Sequence, residues 1–207
     1  NGQKLILLWF GSWKNSMSCY APSWVKRGFN SEFELAANSN GSIPEIMSAF
    51  SERNVRADAK AFASLMKYIR KADGSEGTVI MVQVENEIGM LGDARDHSRL
   101  AQNAYNSPVP YDMMYMLTSG KANEHINDVW KAAGKATTGS WKEVFGSSLE
   151  ADEIFMAYWY ARYTERVAAA GKTEYDIPMF VNTALNSRGR KAGEYPSAGP
   201  LSHLMPI

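Results

Sequence analysis

Thr78-Val79-Ile80-Met81-Val82-Gln83-Val84-Glu85-Asn86-Glu87-Ile88-Gly89 decides the reading of this chain. Its first seven residues are almost wholly apolar, the pattern of a strand buried on both faces within a parallel sheet covered by helices. The polar end of that strand carries the triplet Glu85-Asn86-Glu87. Strict alternation places Gln83, Glu85 and Glu87 on one face and Asn86 on the other, unless a bulge intervenes. Carboxylates are rarely buried without a partner or a task. A partly desolvated carboxyl has its pKa raised, and a second carboxylate nearby raises it further, so such a group can protonate a leaving oxygen near neutral pH. On pattern alone, the pair reads equally well as structural ion-pairing residues at a strand end.

Outward from this strand, Leu5-Ile6-Leu7-Leu8-Trp9-Phe10 is a second apolar run, giving a strand at about 4–10. Ile177-Pro178-Met179-Phe180-Val181-Asn182-Thr183-Ala184-Leu185 gives a third, at about 178–184, with Pro178 at its start where no ladder donor is needed. Ala59, Phe62, Ala63, Met66 and Ile69 recur at helical steps, predicting a helix over about 54–71 that Asp73-Gly74 ends with a left-handed cap. A second helix spans about 152–170, with Ile154, Ala157, Tyr158, Ala161 and Tyr163 turned inward and Gly171 as its C-cap. Trp13 to about Phe50 reads as a loop containing a helical turn at Pro22–Lys26. Residues 91–150 are irregular, with short helices near 110–118 and 122–133, and 186–207 is a loop leading to a helix. Alternating strands and helices imply an α/β fold with a parallel sheet and right-handed crossovers. Three strands cannot close a barrel, so either further strands lie outside this chain or the sheet is small and open.

The 207 residues suffice for one domain with a sizeable core. Lys plus Arg and Asp plus Glu number 22 each, and this balance argues against a nucleic-acid surface and gives no reason to invoke an anionic membrane. No apolar stretch reaches the length of a bilayer span. The single Cys19 forms no intrachain disulfide, no Cys/His spacing suggests a metal site, and cysteine usage leaves the compartment open. The chain opens at Asn1 and stops at Pro206-Ile207, which reads as an internal piece of a longer protein. Aromatics make up 12%, which suits sugar faces as well as ordinary cores.

In α/β proteins functional groups gather at the carboxyl ends of parallel strands. Here those ends carry Trp13-Lys14-Asn15, then Glu85-Asn86-Glu87, then Asn182-Thr183. Val82-Gln83-Val84-Glu85-Asn86-Glu87-Ile88-Gly89 resembles the strand-four signature of glycoside hydrolase family 35 β-galactosidases, written VQVENEYG, with Ile88 in place of the common Tyr. Leu8-Trp9-Phe10-Gly11-Ser12-Trp13-Lys14-Asn15, Tyr20-Ala21-Pro22-Ser23-Trp24-Val25-Lys26, Pro178-Met179-Phe180-Val181-Asn182 and Gly193-Glu194-Tyr195-Pro196-Ser197-Ala198-Gly199-Pro200-Leu201 resemble a bacterial branch of that group that often carries an additional C-terminal domain. The resemblance runs nearly end to end. It implies a partial (β/α)8, or TIM, barrel covering about strands three to five with long βα loops, so that residues 1–207 form a fragment of one catalytic domain.

It further implies a retaining glycosidase that releases terminal β-linked galactose or a related sugar. Glu87 becomes the general acid/base, Asn86 the amide bonding the sugar 2-hydroxyl, and Glu85 a residue that orients its neighbours. The family's nucleophile closes strand seven, beyond this chain, and Glu194 lacks the strand context to replace it. A retaining mechanism needs two carboxyls about 5–5.5 Å apart, so the chain alone is expected to be inactive and to need the remainder of the barrel. The partner expected is an oligosaccharide or glycoside, with no cofactor and no metal.

Among further candidates, Trp13 could stack on a sugar or pack within its loop, Asn15 and Lys14 could reach hydroxyls, and Asn182 could serve a subsite or make a structural turn hydrogen bond. Tyr20 and Trp24 are expected to shape a loop wall, and Asp93–Ser98 to form a solvated salt-bridged loop, with the rim of the pocket as its alternative role. His125 and His203 read as structural, Trp130 and Trp141 as holding the insertion together, and Cys19 has no role. A non-catalytic carbohydrate-binding relative is the alternative in another class. A nucleotide-binding domain is disfavoured because no Gly-rich phosphate loop follows any strand.

Overall fold

The computed structural model describes residues 2–15, 18–29 and 31–206, with side chains throughout except at 14, 15, 18 and 19. The elements follow as β1 (Leu5–Trp9), β2 (Trp13–Asn15), β3 (Ser18–Cys19), α1 (Ser23–Arg27), α2 (Glu52–Asp73), β4 (Val79–Asn86), α3 (Arg99–Asn106), α4 (Tyr111–Thr118), α5 (Glu124–Ala132), α6 (Trp141–Phe145), α7 (Leu149–Glu174), β5 (Met179–Asn182) and a 3-10 helix (Gly199–Leu204).

The three apolar runs form one parallel sheet in the order β1-β4-β5. This is an α/β fold in which strands adjacent in sequence order within the sheet are neighbours in space. Paired residues of parallel strands share a face. Leu7 with Val82, Trp9 with Val84 and Val82 with Met179 turn toward the helices, and the Trp9 ring meets Phe62 of α2 at 5.4 Å. Ile6 with Met81, and Leu8 with Gln83 and Phe180, occupy the helix-free face, where Ile6, Leu8 and Phe180 are exposed.

The two crossover helices, α2 and α7, lie on the same side of the sheet and pack on each other. Ser51 caps α2 by accepting Asn54 N, and Ser148 caps α7 by accepting Ala151 N. Glu150 and Asp152 in the first turn of α7 complement its dipole. Phe62, Met66 and Ile69 of α2 are buried, as are all five residues expected to face inward on α7. Gly74 follows α2 with φ −59° and ψ −30°, so it ends the helix without the left-handed cap expected of it. Gly171 does not cap α7, which runs on to Glu174. A Cβ there would strike the Phe62 ring and Met66, so glycine allows the two helices to approach.

From Ala151 to Ala161 no residue of α7 is exposed, so this half of the helix is covered all round, while Arg162, Glu165, Arg166 and Lys172 give its second half a solvent face. Phe155 alone meets Phe50 at 5.2 Å, Tyr105 at 5.1 Å and Trp141 at 5.2 Å, and full burial of one such side chain contributes about 1.5–3 kcal/mol. The insertion before it holds α4 and α5 where short helices are predicted, together with two that the pattern misses. Those are α3, capped by Ser98, and α6, which opens with a Ser140–Glu143 capping box. Trp130 and Trp141 are buried within it, Trp130 donating its indole N–H to Ala136 O at 2.8 Å.

The stretch 93–98 is a buried clamp and not a solvated loop. Asp96 is fully buried and accepts Ala37 N at 3.0 Å, Ser48 Oγ at 2.7 Å and Ser98 N at 2.7 Å. Arg95 lies over the Tyr105 ring at 4.2 Å and 3.3 Å from Asp152. The segment thereby fastens residues 37–48 to α7. Within the loop after β1, β2 and β3 form a small antiparallel pair that the sequence pattern gives no sign of. Among the described residues no helix is long and apolar enough to cross a membrane.

Candidate active site

The strand β4 abandons simple alternation at its end. Glu85 and Glu87 both take left-handed backbone, with φ of 60° and 50°, and the register with β5 shifts between Gln83 and Asn86. Such conformations cost about 1–3 kcal/mol each in a non-glycine residue and persist only where the surroundings impose them. The bulge overturns the expected faces. Glu85 turns into the helix layer, while Asn86 joins Gln83 on the helix-free face.

Asn86 is fixed from two sides. Its Oδ1 accepts Gln83 Nε2 at 3.0 Å and Asn182 Nδ2 at 2.7 Å, and Gln83 Nε2 also donates to Glu85 O at 2.9 Å. With its oxygen taken by two donors, the Asn86 amide is locked in one flip state. Glu87 is half-buried beside it, and its backbone N–H donates to Asn182 O at 2.8 Å. The structure therefore brings Asn86, Glu87 and Asn182 together at the carboxyl end of the central strand. Gln83 belongs to the same group and was not singled out from sequence.

Glu85 is 1% exposed and reaches no open surface of this group. Its Oε2 accepts Trp13 N at 3.1 Å, and its carboxyl meets Asp58 of α2. Burial, then the adjacent Asp58 charge, holds the Glu85 carboxyl well above the usual carboxylate range. Asp58 Oδ2 accepts Ser12 N at 3.0 Å, Ser12 Oγ at 2.7 Å and Tyr163 OH at 3.1 Å, while Oδ1 accepts Trp9 Nε1 at 2.9 Å. This buried polar cluster underlies the strand ends. Its signal in the sequence is an acid on the apolar face of α2, four residues before Phe62.

Trp13 is fully buried, edge-on to Tyr160 at 5.9 Å and Tyr163 at 4.6 Å. Its ring packs the core and has no free face for a sugar, because the chain turns inward as its N–H binds Glu85. Asn15 ends β2, and the side chains of Lys14, Asn15 and Cys19 lie outside the described residues. Tyr20 and Trp24 are half exposed and wall an apolar cavity of about 390 Å³ along β1 and α2. A second cavity of about 290 Å³ lies between α7 and β5, lined by Val84, Ala161, Ala168 and Val181 among others.

The loops after β4 and β5 hold each other. Met90 N donates to Ser197 O at 3.1 Å, and Glu153 of α7 gathers the second loop by accepting Ser197 Oγ at 2.9 Å and Gly193 N at 3.0 Å. Arg190 pairs with Glu153 through both nitrogens, at 2.7 and 3.0 Å, in a nearly fully buried pair. His125 and His203 are exposed along one open cleft of about 840 Å³ and are not the packed structural histidines expected. Among the described residues no group of three or more His, Cys, Asp or Glu side chains is arranged to hold a metal ion.

No family model matches the chain, and no curated protein matches it. Among solved structures, the crystal structure of the β-galactosidase from Bacillus circulans sp. alkalophilus is similar over 79% of this chain, with a TM-score of 0.49 and 14% sequence identity. The chain spans 25% of the length of that protein's chain.

Proposed function

We propose that this chain is an arc of a (β/α)8 barrel, about strands three to five, in a retaining glycoside hydrolase whose general acid/base is Glu87. The observation that carries the proposal is the Asn86–Glu87 pair at the carboxyl end of the central strand, held in a strained bulge and fixed by Gln83 and Asn182. The sheet supports the barrel reading. Its strands follow sequential order with both crossover helices on one side, whereas a doubly wound sheet puts helices on both faces. The apolar, exposed helix-free face and two unpaired edge strands suit an arc whose neighbours complete the barrel.

In this reading Glu87 protonates the glycosidic oxygen while a carboxylate from strand seven, outside this chain, attacks the anomeric carbon. Glu87 then takes a proton from the water that hydrolyses the glycosyl-enzyme. The Asn86 NH2 group donates to the sugar 2-hydroxyl, its own oxygen being held by the sheet. Glu85 cannot be the second carboxylate, because it points into the helix layer. The substrate is terminal β-linked galactose or a related sugar, and the chain without its strand-seven partner is inactive. A carbohydrate-binding relative without turnover is the alternative, and it requires that the residue closing strand seven is not Glu.

Leaving-group dependence in the full-length protein tests the proposal. Glu87→Gln should slow hydrolysis of natural glycosides about 10²–10⁴-fold, the range of a lost general acid, and affect activated aryl glycosides far less in the glycosylation step. Near-wild-type turnover of natural, poorly leaving substrates by that variant contradicts it.

A further inference from the structure

Two carboxyls are buried side by side under the strand ends, and hydrogen-bond donors are divided between them unevenly. Asp58 receives Trp9 Nε1, Ser12 N, Ser12 Oγ and Tyr163 OH. Glu85 receives Trp13 N on Oε2, while among the described residues no donor meets Oε1 in hydrogen-bonding geometry. Asp58 is 7% exposed and Glu85 1%. Adjacent buried carboxyls do not both ionise; one proton is shared between them. The donor set supplies Asp58 as the anion and leaves Glu85 the acid.

We infer that Glu85 is a neutral carboxylic acid whose proton is donated to Asp58, and that this bond is a positioning device for Asn86 and Glu87. Burial, the Asp58 charge and the hydrogen bond between the carboxyls raise the Glu85 pKa, against the weaker pull of the Trp13 and Ser12 N–H groups. Burial and the two carboxyls likewise push the Tyr163 hydroxyl up, so it stays a neutral donor. The groups around Glu85 are Asp58 of α2, Tyr163 of α7 and Ser12 after β1. Glu165, Lys172 and His203 border the cavity that Glu85 also lines.

Connectivity makes this a positioning role. Glu85 is in left-handed conformation because its carboxyl is fastened to α2 and to the segment after β1. Its carbonyl accepts Gln83 Nε2, which in turn holds Asn86 Oδ1. Removing the proton would set two charges together in the helix layer and release the bulge that aims residues 86 and 87.

The protonation claim is independent of the glycosidase reading, and only the kinetic claim rests on it. The full-length protein is compared with its Glu85→Gln, Glu85→Ala and Asp58→Asn variants. Infrared difference spectra at pH 7 between wild type and Glu85→Gln should show a protonated-carboxyl carbonyl band lost in the variant. In the unfolded chain Glu85 ionises near 4.5, its ordinary value. Above that pH folding takes up a proton, so wild-type stability falls as pH rises toward the folded-state pKa.

Glu85→Gln, which has no such proton, should gain on the wild type by up to about tenfold in folding equilibrium per pH unit. Asp58→Asn should be the more damaging change, since it faces four donors with one acceptor lost. Glu85→Ala should lower kcat about 10²-fold with KM little changed, and Glu85→Gln should recover most of that loss. A missing carbonyl band, or a stability difference flat from pH 5 to 8, overturns the shared proton. Gln no better than Ala in kcat overturns the positioning role. If the full-length protein hydrolyses no glycoside, the functional reading fails while the band and the pH trend still decide the protonation. Both of those readouts need only the wild type and the Gln variant.

Discussion

Asn182 and Asn86 face each other across β5 and β4, joined by a 2.7 Å hydrogen bond from Asn182 Nδ2 to Asn86 Oδ1. Together with the bond from Gln83, this fixes the amide that the proposed function sets against the substrate. Asn86→Ala should therefore lower kcat/KM of the full-length protein about 10²–10³-fold, the effect of removing one donor aimed at the transition state. The loss should nearly vanish on the corresponding 2-deoxy glycosides, which lack the hydroxyl that Asn86 binds. An equal loss on both substrates would remove this role from Asn86.

Gly11 sits where a Cβ would strike the Glu85 and Asp58 carboxyls and the Trp9 indole nitrogen, and its φ is +41°. Gly11→Ala is expected to destabilise the fold by about 2–4 kcal/mol, through collision with a cluster that cannot yield and through backbone strain. Urea denaturation at constant m-value measures this, and a cost under about 0.5 kcal/mol would show that the cluster is loose.

Arg190 and Glu153 form the buried pair that gathers the loop after β5. Arg190→Met leaves Glu153 charged and buried, and should cost about 3–5 kcal/mol. Adding Glu153→Leu should recover a large part of that cost. If the double variant is no better than the single, the pair's value lies in the loop contacts and not in the charge.

Glu52 at the start of α2 has its pKa lowered to about 2, first by the hydrogen bond from Arg166, against an opposing effect of burial, with Arg56 adding to the lowering. The group ionises more readily in the folded state, so it stabilises above the ordinary value of 4.5 and that contribution fades as pH falls toward 2. Its side chain is 50% exposed, so solvent screening limits the effect to under about 1 kcal/mol. Melting curves of Glu52→Gln against wild type should differ slightly at pH 7 and draw together as pH falls toward 2. Divergence toward acid would reverse the sign.

The sheet and its two long helices were legible because each follows from a pattern that tertiary context reinforces. Val79–Val84 and Leu5–Trp9 are apolar runs, and the face of α2 recurs at helical steps. The caps were less legible. Gly171 reads as a helix stop, yet it is a contact point for Phe62, and only the packing of α2 on α7 reveals that. Alternation placed Glu85 beside Glu87, and the bulge separated them, since a positive φ in Glu carries no sequence mark. Trp13 at a strand end suggested an exposed platform, but the pull of Glu85 on its N–H folds it into the core. Asp93–Ser98 looked solvated because its charges are local, while their partners Ala37, Ser48 and Asp152 are distant in sequence.

The identity of Glu87 as acid/base is tested most directly by azide rescue of the full-length Glu87→Ala variant on an activated aryl β-galactoside. With the acid/base removed, the glycosyl-enzyme still forms but waits for a nucleophile that needs no deprotonation. Azide should then restore turnover and yield the β-galactosyl azide, with the configuration of the substrate retained. No rescue together with undiminished hydrolysis, or an α-configured azide product, contradicts the assignment.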